Sequence, residues 1–298
     1  MSAGLNDPRI QTVTGALPAA VIDGQILPHE HLRTDTRWGI GVDSDPGRWL
    51  DEESYVTAEL KRQGREHELT LVVDHTGLGA ARDAAALARV SAGSRVAVVA
   101  ATGYAAEPFA GDLIRRFGVD DLTGDLLHEI GAGLDGTSSR PGLIVAAAWQ
   151  ETPTTAEERA TVAAARAAIR TGLPLAAHGP GGLSLLETLL TSGVPAARVS
   201  VRTGDQLVQR KIAESGCYVS VTAADDVLAL LEAGHAARTL LSSGVGRQRE
   251  LAGYGGDGYA RLFHRVLPAL TRAGVDPATL RLITRENPLR WLAVPGTR

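Results

Sequence analysis

Short apolar runs alternate with longer amphipathic segments along most of the chain, and the runs are bounded by glycine or polar residues, as buried strands are. The runs that predict strands are Gln25–His31, Leu69–His75, Val96–Thr102, Leu143–Trp149, Leu173–His178, Val199–Thr203, Tyr218–Thr222 and Thr239–Ser243. Helical spacing between them predicts helices that include Arg82–Val90, Ala156–Arg170, Leu183–Thr191 and Gln206–Ser215. Eight strands with interleaved helices predict a (β/α)8 barrel, and we expect residues 1–298 to form this one domain.

A doubly wound open sheet is the competing α/β architecture. Such a sheet usually carries a G-x-G-x-x-G loop after its first strand. In this chain the segment "GLGAARDA" follows the second apolar run and lacks that spacing. The pattern therefore favours the closed barrel.

The ends of the predicted strands carry the candidate chemistry. In barrels of this type, active sites are built at the C-terminal ends of the strands. Several runs end in a polar residue that glycine follows, as in "DHTGLG", "AAHGPGG" and "LSSGVG". The candidate site residues at strand ends are His75, Thr102, Trp149, His178, Thr203 and Ser243.

Two histidines stand one residue apart in "ILPHEHLRTD". Alternate side chains of a strand point to the same face, so His29 and His31 are expected to offer two imidazoles to one metal ion. Glu30 would then point away from the barrel axis, which indicates a structural role.

Composition narrows the classes of partner. The net charge is −4, so the chain has no basic surface for nucleic acid or for anionic lipid. The only cysteine is Cys217, which excludes a disulfide within the chain and a thiolate zinc site. No apolar run approaches the ~20 residues of a membrane span. The first residues lack the basic and apolar parts of a signal sequence, so a cytoplasmic protein is expected.

Several segments, in order, resemble those of the phosphotriesterase-related family of the amidohydrolase superfamily. They are "TVTGALPAAVIDGQILPHEHLRTD", "TLVVDHTGLGAARDAAALARV", "IGAGLDGTSSRPGLI", "GLPLAAHGPGGLSLLETLLTSGVPAARV", "YGGDGYARLF" and "ENPLRWL". The resemblance implies a phosphotriesterase-like barrel and a metal-dependent hydrolase of esters, lactones or phosphotriesters. By the same analogy, it implies a small-molecule substrate and a homodimer.

The resemblance also implies six metal ligands around two ions, and this chain retains three of them. His29, His31 and His178 match the histidines of strands one and five. Val145 stands where the family has a carboxylated lysine, Thr203 where it has a histidine, and Gly244 where it has an aspartate. Because the anionic ligands that offset the repulsion between two ions are absent, a binuclear centre is not expected.

These residues favour a site for a single divalent ion, with zinc as the expected metal. His29, His31 and His178 would hold the ion, and His75 would act as a fourth ligand or carry protons. The leading hypothesis is a hydrolase of a small ester, lactone or amide.

The alternative is a metal-free descendant of the family. It would either use histidine acid–base chemistry for a cyclisation, elimination or isomerisation, or bind a ligand or partner without turnover. His75 and His178 are the candidate catalytic residues, both in the hydrolase and in the acid–base alternative. The candidate substrate contacts are Tyr104, Trp149, Thr203 and Asp257.

Overall fold

A computed structural model describes residues 7–295. Residues 1–6 and 296–298 lie outside the described residues. The expectation that the first residues form no signal sequence therefore concerns, in part, residues that the structure does not describe. The barrel strands, numbered here from first to eighth, are Gln25–Glu30, Leu69–Asp74, Ala97–Val99 continued by Ala101–Gly103, Leu143–Ala147, Leu175–His178, Val199–Arg202, Tyr218–Val221 and Thr239–Leu241. Each predicted strand is present, and the (β/α)8 barrel is confirmed.

Parallel pairing runs in chain order from the first strand to the eighth. The first, second and third strands form one ladder, and the third to eighth strands form another. The break between these ladders falls at Ala100, inside the third strand. This order is the one that right-handed β-α-β connections produce.

The side chain of Glu30 closes the barrel between the first strand and the segment after the eighth. Its carboxylate accepts hydrogen bonds from the Ser242 hydroxyl and from three consecutive backbone N–H groups, those of Ser243, Gly244 and Val245, at 2.5–2.9 Å. The backbone N–H of His31 also donates to the Val245 carbonyl oxygen at 2.8 Å. The structural role expected for Glu30 is confirmed.

Helices cover the outside of the barrel. The α-helices are Glu53–His67, Ala84–Ser94, Glu107–Ile114, Val119–Ala132, Thr155–Thr171, Gly182–Thr191, Gln206–Glu214, Ala224–Glu232, Leu267–Arg272, Pro277–Arg281 and Asn287–Leu292. The four predicted helices are all present, although the first continues to Ser94 instead of ending at Val90. Within residues 7–295, none of the helices combines the length and apolar character needed to span a bilayer.

Shorter elements complete the chain. They are hairpin strands at Arg9–Thr12 and Gly15–Pro18, a strand pair at Thr34–Asp35 and Trp49–Leu50, π-helical turns at Leu262–Val266 and Leu282–Glu286, and 3-10 turns at Ala19–Val21, Ala196–Arg198, Ala236–Arg238, Gln248–Glu250, Ala252–Tyr254 and Gly258–Ala260. The strands Thr34–Asp35 and Trp49–Leu50 pair antiparallel and follow the first barrel strand in the chain.

The strands divide their side chains between two hydrophobic layers. Leu71 and Val73 point into the barrel, whereas Leu69 and Val72 pack against the helices. The first strand departs from simple alternation because its register with the second shifts between Leu27 and Glu30. This irregularity contains His29 and ends just before His31.

Candidate active site

Three histidines from different strands converge at the C-terminal mouth of the barrel. His29 lies in the first strand, His75 directly follows the second, and His178 ends the fifth. One ring nitrogen from each lies within 4.8 Å of the others. The ring centroid of His29 is 4.0 Å from that of His75 and 4.9 Å from that of His178. The group is thus compact enough to share one ligand.

Hydrogen bonding sets the tautomer of His75. Its Nε2 lies 2.7 Å from the carbonyl oxygen of Pro28, which can only accept, so Nε2 carries the proton. In the neutral ring, Nδ1 therefore presents a lone pair, and it lies 3.1 Å from Nε2 of His178. Such a bond to a carbonyl is the usual support behind a metal-ligating imidazole.

Burial keeps these imidazoles neutral. It lowers the pKa of His29 and of His75 well below the ordinary value, and it lowers the pKa of His178 to about 3. The mutual repulsion of the histidines and the charge of Arg202 act in the same direction. Neutral imidazoles have the free lone pairs that a metal ion requires.

His31 lies beside this group and is not part of it. Its ring centroid is 6.5 Å from that of His29, and its Nδ1 lies 2.8 Å from Oγ1 of Thr76. Burial, followed by the charge of Arg202, lowers its pKa to about 4. Of the ligands expected from sequence, His29 and His178 are therefore in the compact group, and His75 is the third member.

A cavity of about 570 Å³ opens above the histidines. Its floor is formed by His29, His31, His75 and His178, and its wall by apolar side chains that include Val145, Ala147, Ala148, Tyr104, Phe109 and Trp149. The ring of Trp149 meets that of Phe109 edge-on at 5.3 Å, and the guanidinium carbon of Arg48 lies 5.2 Å from the centroid of the Trp149 ring. The structure therefore places Tyr104 and Trp149 on the wall of the histidine cavity.

The other two predicted substrate contacts line different cavities. Thr203 borders a cavity of about 460 Å³ that shares His178 and Arg202 with the first. Asp257 borders a third cavity and forms an ion pair with Arg265 at 2.6 Å. Asp257 is thus separate from the histidine cavity, whereas Thr203 lies next to it.

Arg202 is the functional candidate that the sequence pattern did not single out. It directly precedes Thr203 at the end of the sixth strand. The alternation of the sixth strand could have identified it, because Val199 and Val201 pack outward and the residues between and after them must point inward. The side chain of Arg202 borders both the first and the second cavity.

The donor set fits one metal ion. In a tetrahedral zinc site, nitrogens about 2.05 Å from the ion lie about 3.3 Å apart, close to the 3.1 Å between His75 and His178. Two of the three positions where the expected ligands are replaced offer no ligand atom, because Val145 lines the wall with an apolar side chain and Gly244 has no side chain. Among residues 7–295, Glu66, His67 and His264 form a second group of ligand type, which lies at the surface.

Sequence comparison places these residues in a known family. The model of the phosphotriesterase family matches residues 8–292. The phosphotriesterase homology protein of Escherichia coli is 29% identical over 288 residues, which cover 90% of this chain and 97% of that protein. A human protein named N-acetyltaurine hydrolase is 25% identical over 345 residues, which cover 95% of this chain and 97% of that protein.

Structural comparison agrees with the family found by sequence comparison. The crystal structure of a resiniferatoxin-binding protein from Rhodobacter sphaeroides superposes with a TM-score of 0.87 at 28% identity and covers 98% of each chain. The family model and this superposition both extend over nearly the whole barrel, including the strand ends that carry the histidines. The chain belongs to the phosphotriesterase family.

Proposed function

We propose that the chain hydrolyses a small ester, lactone or amide at the mouth of its barrel, using one divalent metal ion held by His29, His75 and His178. The observation that carries the proposal is the convergence of three neutral imidazoles, with nitrogens within 4.8 Å of one another, beneath an apolar cavity. Membership of a family that includes a protein named N-acetyltaurine hydrolase supports hydrolysis as the reaction type.

Some residues of the site would hold the metal ion, and others would hold the substrate. A divalent ion, when bound, supplies Lewis acidity and lowers the pKa of a coordinated water. The Pro28 carbonyl oxygen fixes the orientation of His75. Tyr104 and Trp149 orient the apolar part of the substrate and exclude water from that wall. His31, held by Thr76 at the rim of the group, is positioned to contact the reacting end of the substrate.

A metal-free acid–base reaction is the second candidate, and the contact between His75 and His178 is the observation that favours it. With Nε2 of His178 protonated, the 3.1 Å contact is a hydrogen bond, and it continues through His75 to the carbonyl oxygen of Pro28. Such a series of hydrogen bonds can hold a proton at a defined ring nitrogen on the cavity floor and deliver it to a substrate in the cavity. Cyclisation, elimination or isomerisation would then be the reaction class.

Hydrolysis of a panel of aryl esters, lactones and N-acyl amides tests the proposal. The protein is assayed after incubation with zinc or manganese, after chelation, and as the variants His178→Ala and His128→Ala. His128 is an exposed helical histidine and serves as the matched control. We expect turnover that chelation and His178→Ala abolish and that His128→Ala retains. A non-hydrolytic product that forms despite chelation would favour the acid–base reaction, and ligand binding without product would favour a binding protein.

A further inference from the structure

Arg202 places a positive charge at the barrel mouth without an ion-pair partner among the described residues. Among residues 7–295, no carboxylate lies within 4.0 Å of its guanidinium. Glu30 and Glu250 attract it from a distance, but backbone N–H groups already occupy both carboxylates. An arginine remains charged in a protein, and a charge without a partner in a partly buried position is costly.

The position of Gly244 leaves room for this arginine. A Cβ at residue 244 would lie 3.2 Å from Nη2 of Arg202 and 2.6 Å from Cγ2 of Thr222. The arginine therefore reaches from the sixth strand past the seventh to the segment after the eighth. It occupies space next to the position where a side chain at residue 244 would begin.

The second cavity contains another polar group that lacks a partner. Ser220 is 1% exposed and borders this cavity, and its Oγ has no hydrogen-bond partner among residues 7–295. Thr203 and Thr222 border the same cavity. Its acidic wall residue, Asp226, accepts a hydrogen bond from Gln206 at 3.1 Å and forms no ion pair with Arg202. An unpaired guanidinium and an unpaired hydroxyl thus face one space.

We propose that Arg202 and Ser220 form a subsite for a carboxylate of the substrate. The planar fork of a guanidinium matches the two oxygens of a carboxylate, and a serine hydroxyl can donate a further hydrogen bond. The inference deepens the proposed hydrolysis, on which its substrate assignment rests. The first and second cavities share His178, Gly179, Pro180 and Arg202. One molecule can therefore place its acyl group against Trp149 and its carboxylate at Arg202.

The substrate class that fits both cavities is an amide or ester that carries a free carboxylate, as an N-acyl amino acid does. The carboxylate takes no part in the reaction and is unchanged by it. Its binding positions the scissile carbonyl near His178, which borders both cavities. Arg202 is therefore assigned as a specificity-determining residue.

Calorimetric titration with benzoate and benzamide tests the subsite without turnover. The two probes share size and shape and differ in charge, and EDTA in the buffer prevents benzoate from binding through a metal ion. We expect the wild-type protein to bind benzoate at least ~10-fold more tightly than benzamide, since hydrogen bonds to charged groups are strong. Arg202→Met should remove this preference, and Ser220→Ala should weaken benzoate binding several-fold.

Two further variants separate the subsite from general effects of charge and folding. Arg210→Gln removes an exposed arginine that pairs with Glu214 and should leave benzoate binding unchanged. Arg202→Lys keeps the charge without the fork and should weaken benzoate less than Arg202→Met does. Equal benzoate affinity in wild type and Arg202→Met, or equal affinity for both probes, would overturn the subsite. Because no hydrolysis is measured, either result is independent of the proposed reaction.

Discussion

Nδ1 of His75 lies 3.1 Å from Nε2 of His178, while Nε2 of His75 lies 2.7 Å from the carbonyl oxygen of Pro28. The carbonyl oxygen assigns the proton of His75 to Nε2 and leaves Nδ1 with a lone pair. The same separation suits a hydrogen bond from His178 and a pair of ligands on one ion. The hydrogen-bonded state and the metal-bound state would differ in the tautomer of His178. Its proton must be on Nδ1 for Nε2 to bind a metal.

The first prediction separates His31 from the metal group. Because His31 bonds to Thr76 and its ring lies 6.5 Å from that of His29, His31→Asn should retain zinc binding and lower turnover at least ~10-fold. Zinc titration against a competing chelator and steady-state hydrolysis measure the two quantities on the same preparation. Loss of zinc binding in His31→Asn would instead assign it as a ligand.

The second prediction concerns the space beside Gly244. Its φ is +76°, so Gly244→Ala carries the conformational penalty of about 1–2 kcal/mol and, in addition, a clash with Thr222. Gly255→Ala is the matched control, because φ there is +90° and nothing lies within 4 Å of the added Cβ. Urea unfolding should show a larger loss of unfolding free energy for Gly244→Ala than for Gly255→Ala. Equal losses would mean that the packing around Thr222 and Arg202 is not tight.

The third prediction concerns the closure of the barrel by Glu30. Its carboxylate accepts four hydrogen bonds, and Glu30→Gln would turn an NH₂ group toward groups that also donate. Leaving such a buried donor unsatisfied costs about 1–3 kcal/mol, so the free energy of unfolding should fall by about that amount. Glu232→Gln, at an exposed helical position, should change it by less than ~0.5 kcal/mol. An equally small effect at Glu30 would contradict the assigned role.

The strand ends were the part of the site most accessible from sequence. Apolar runs and the resemblance identified His29, His75 and His178, because a residue at the end of a barrel strand must lie near the mouth. The separation of His31 from the group could not be read from the strand pattern, because it depends on where each ring points and on the contact of His31 with Thr76.

Arg202 was missed for a different reason. The ligand positions implied by the resemblance point to Thr203. The alternation of the sixth strand instead identifies its neighbour, Arg202, as an inward residue. Whether an inward arginine has an acidic partner depends on side chains from other strands. The distance from Arg202 to Gly244 therefore required the folded barrel.

The fourth prediction concerns the pH dependence of stability. Burial raises the pKa of Glu59, although the backbone N–H groups of Ala252 and Tyr259, which donate to it, oppose that shift. The folded state therefore holds the proton more tightly than the unfolded state. The stability that this residue contributes is fully present below its ordinary pKa of 4.5 and is lost as the pH rises through the higher folded value. Glu59→Gln should make the free energy of unfolding less dependent on pH as the pH rises above 4.5, and an unchanged slope would refute the assignment.

The most direct test of the central claim is the amount of metal per chain in protein purified without added metal or chelator. The measurement should use the His264→Ala background, which removes the surface group of Glu66, His67 and His264. The account predicts about one equivalent of a divalent metal, lost in His75→Ala and retained in His31→Asn. Less than ~0.1 equivalent, persisting after incubation with zinc or manganese, would contradict it.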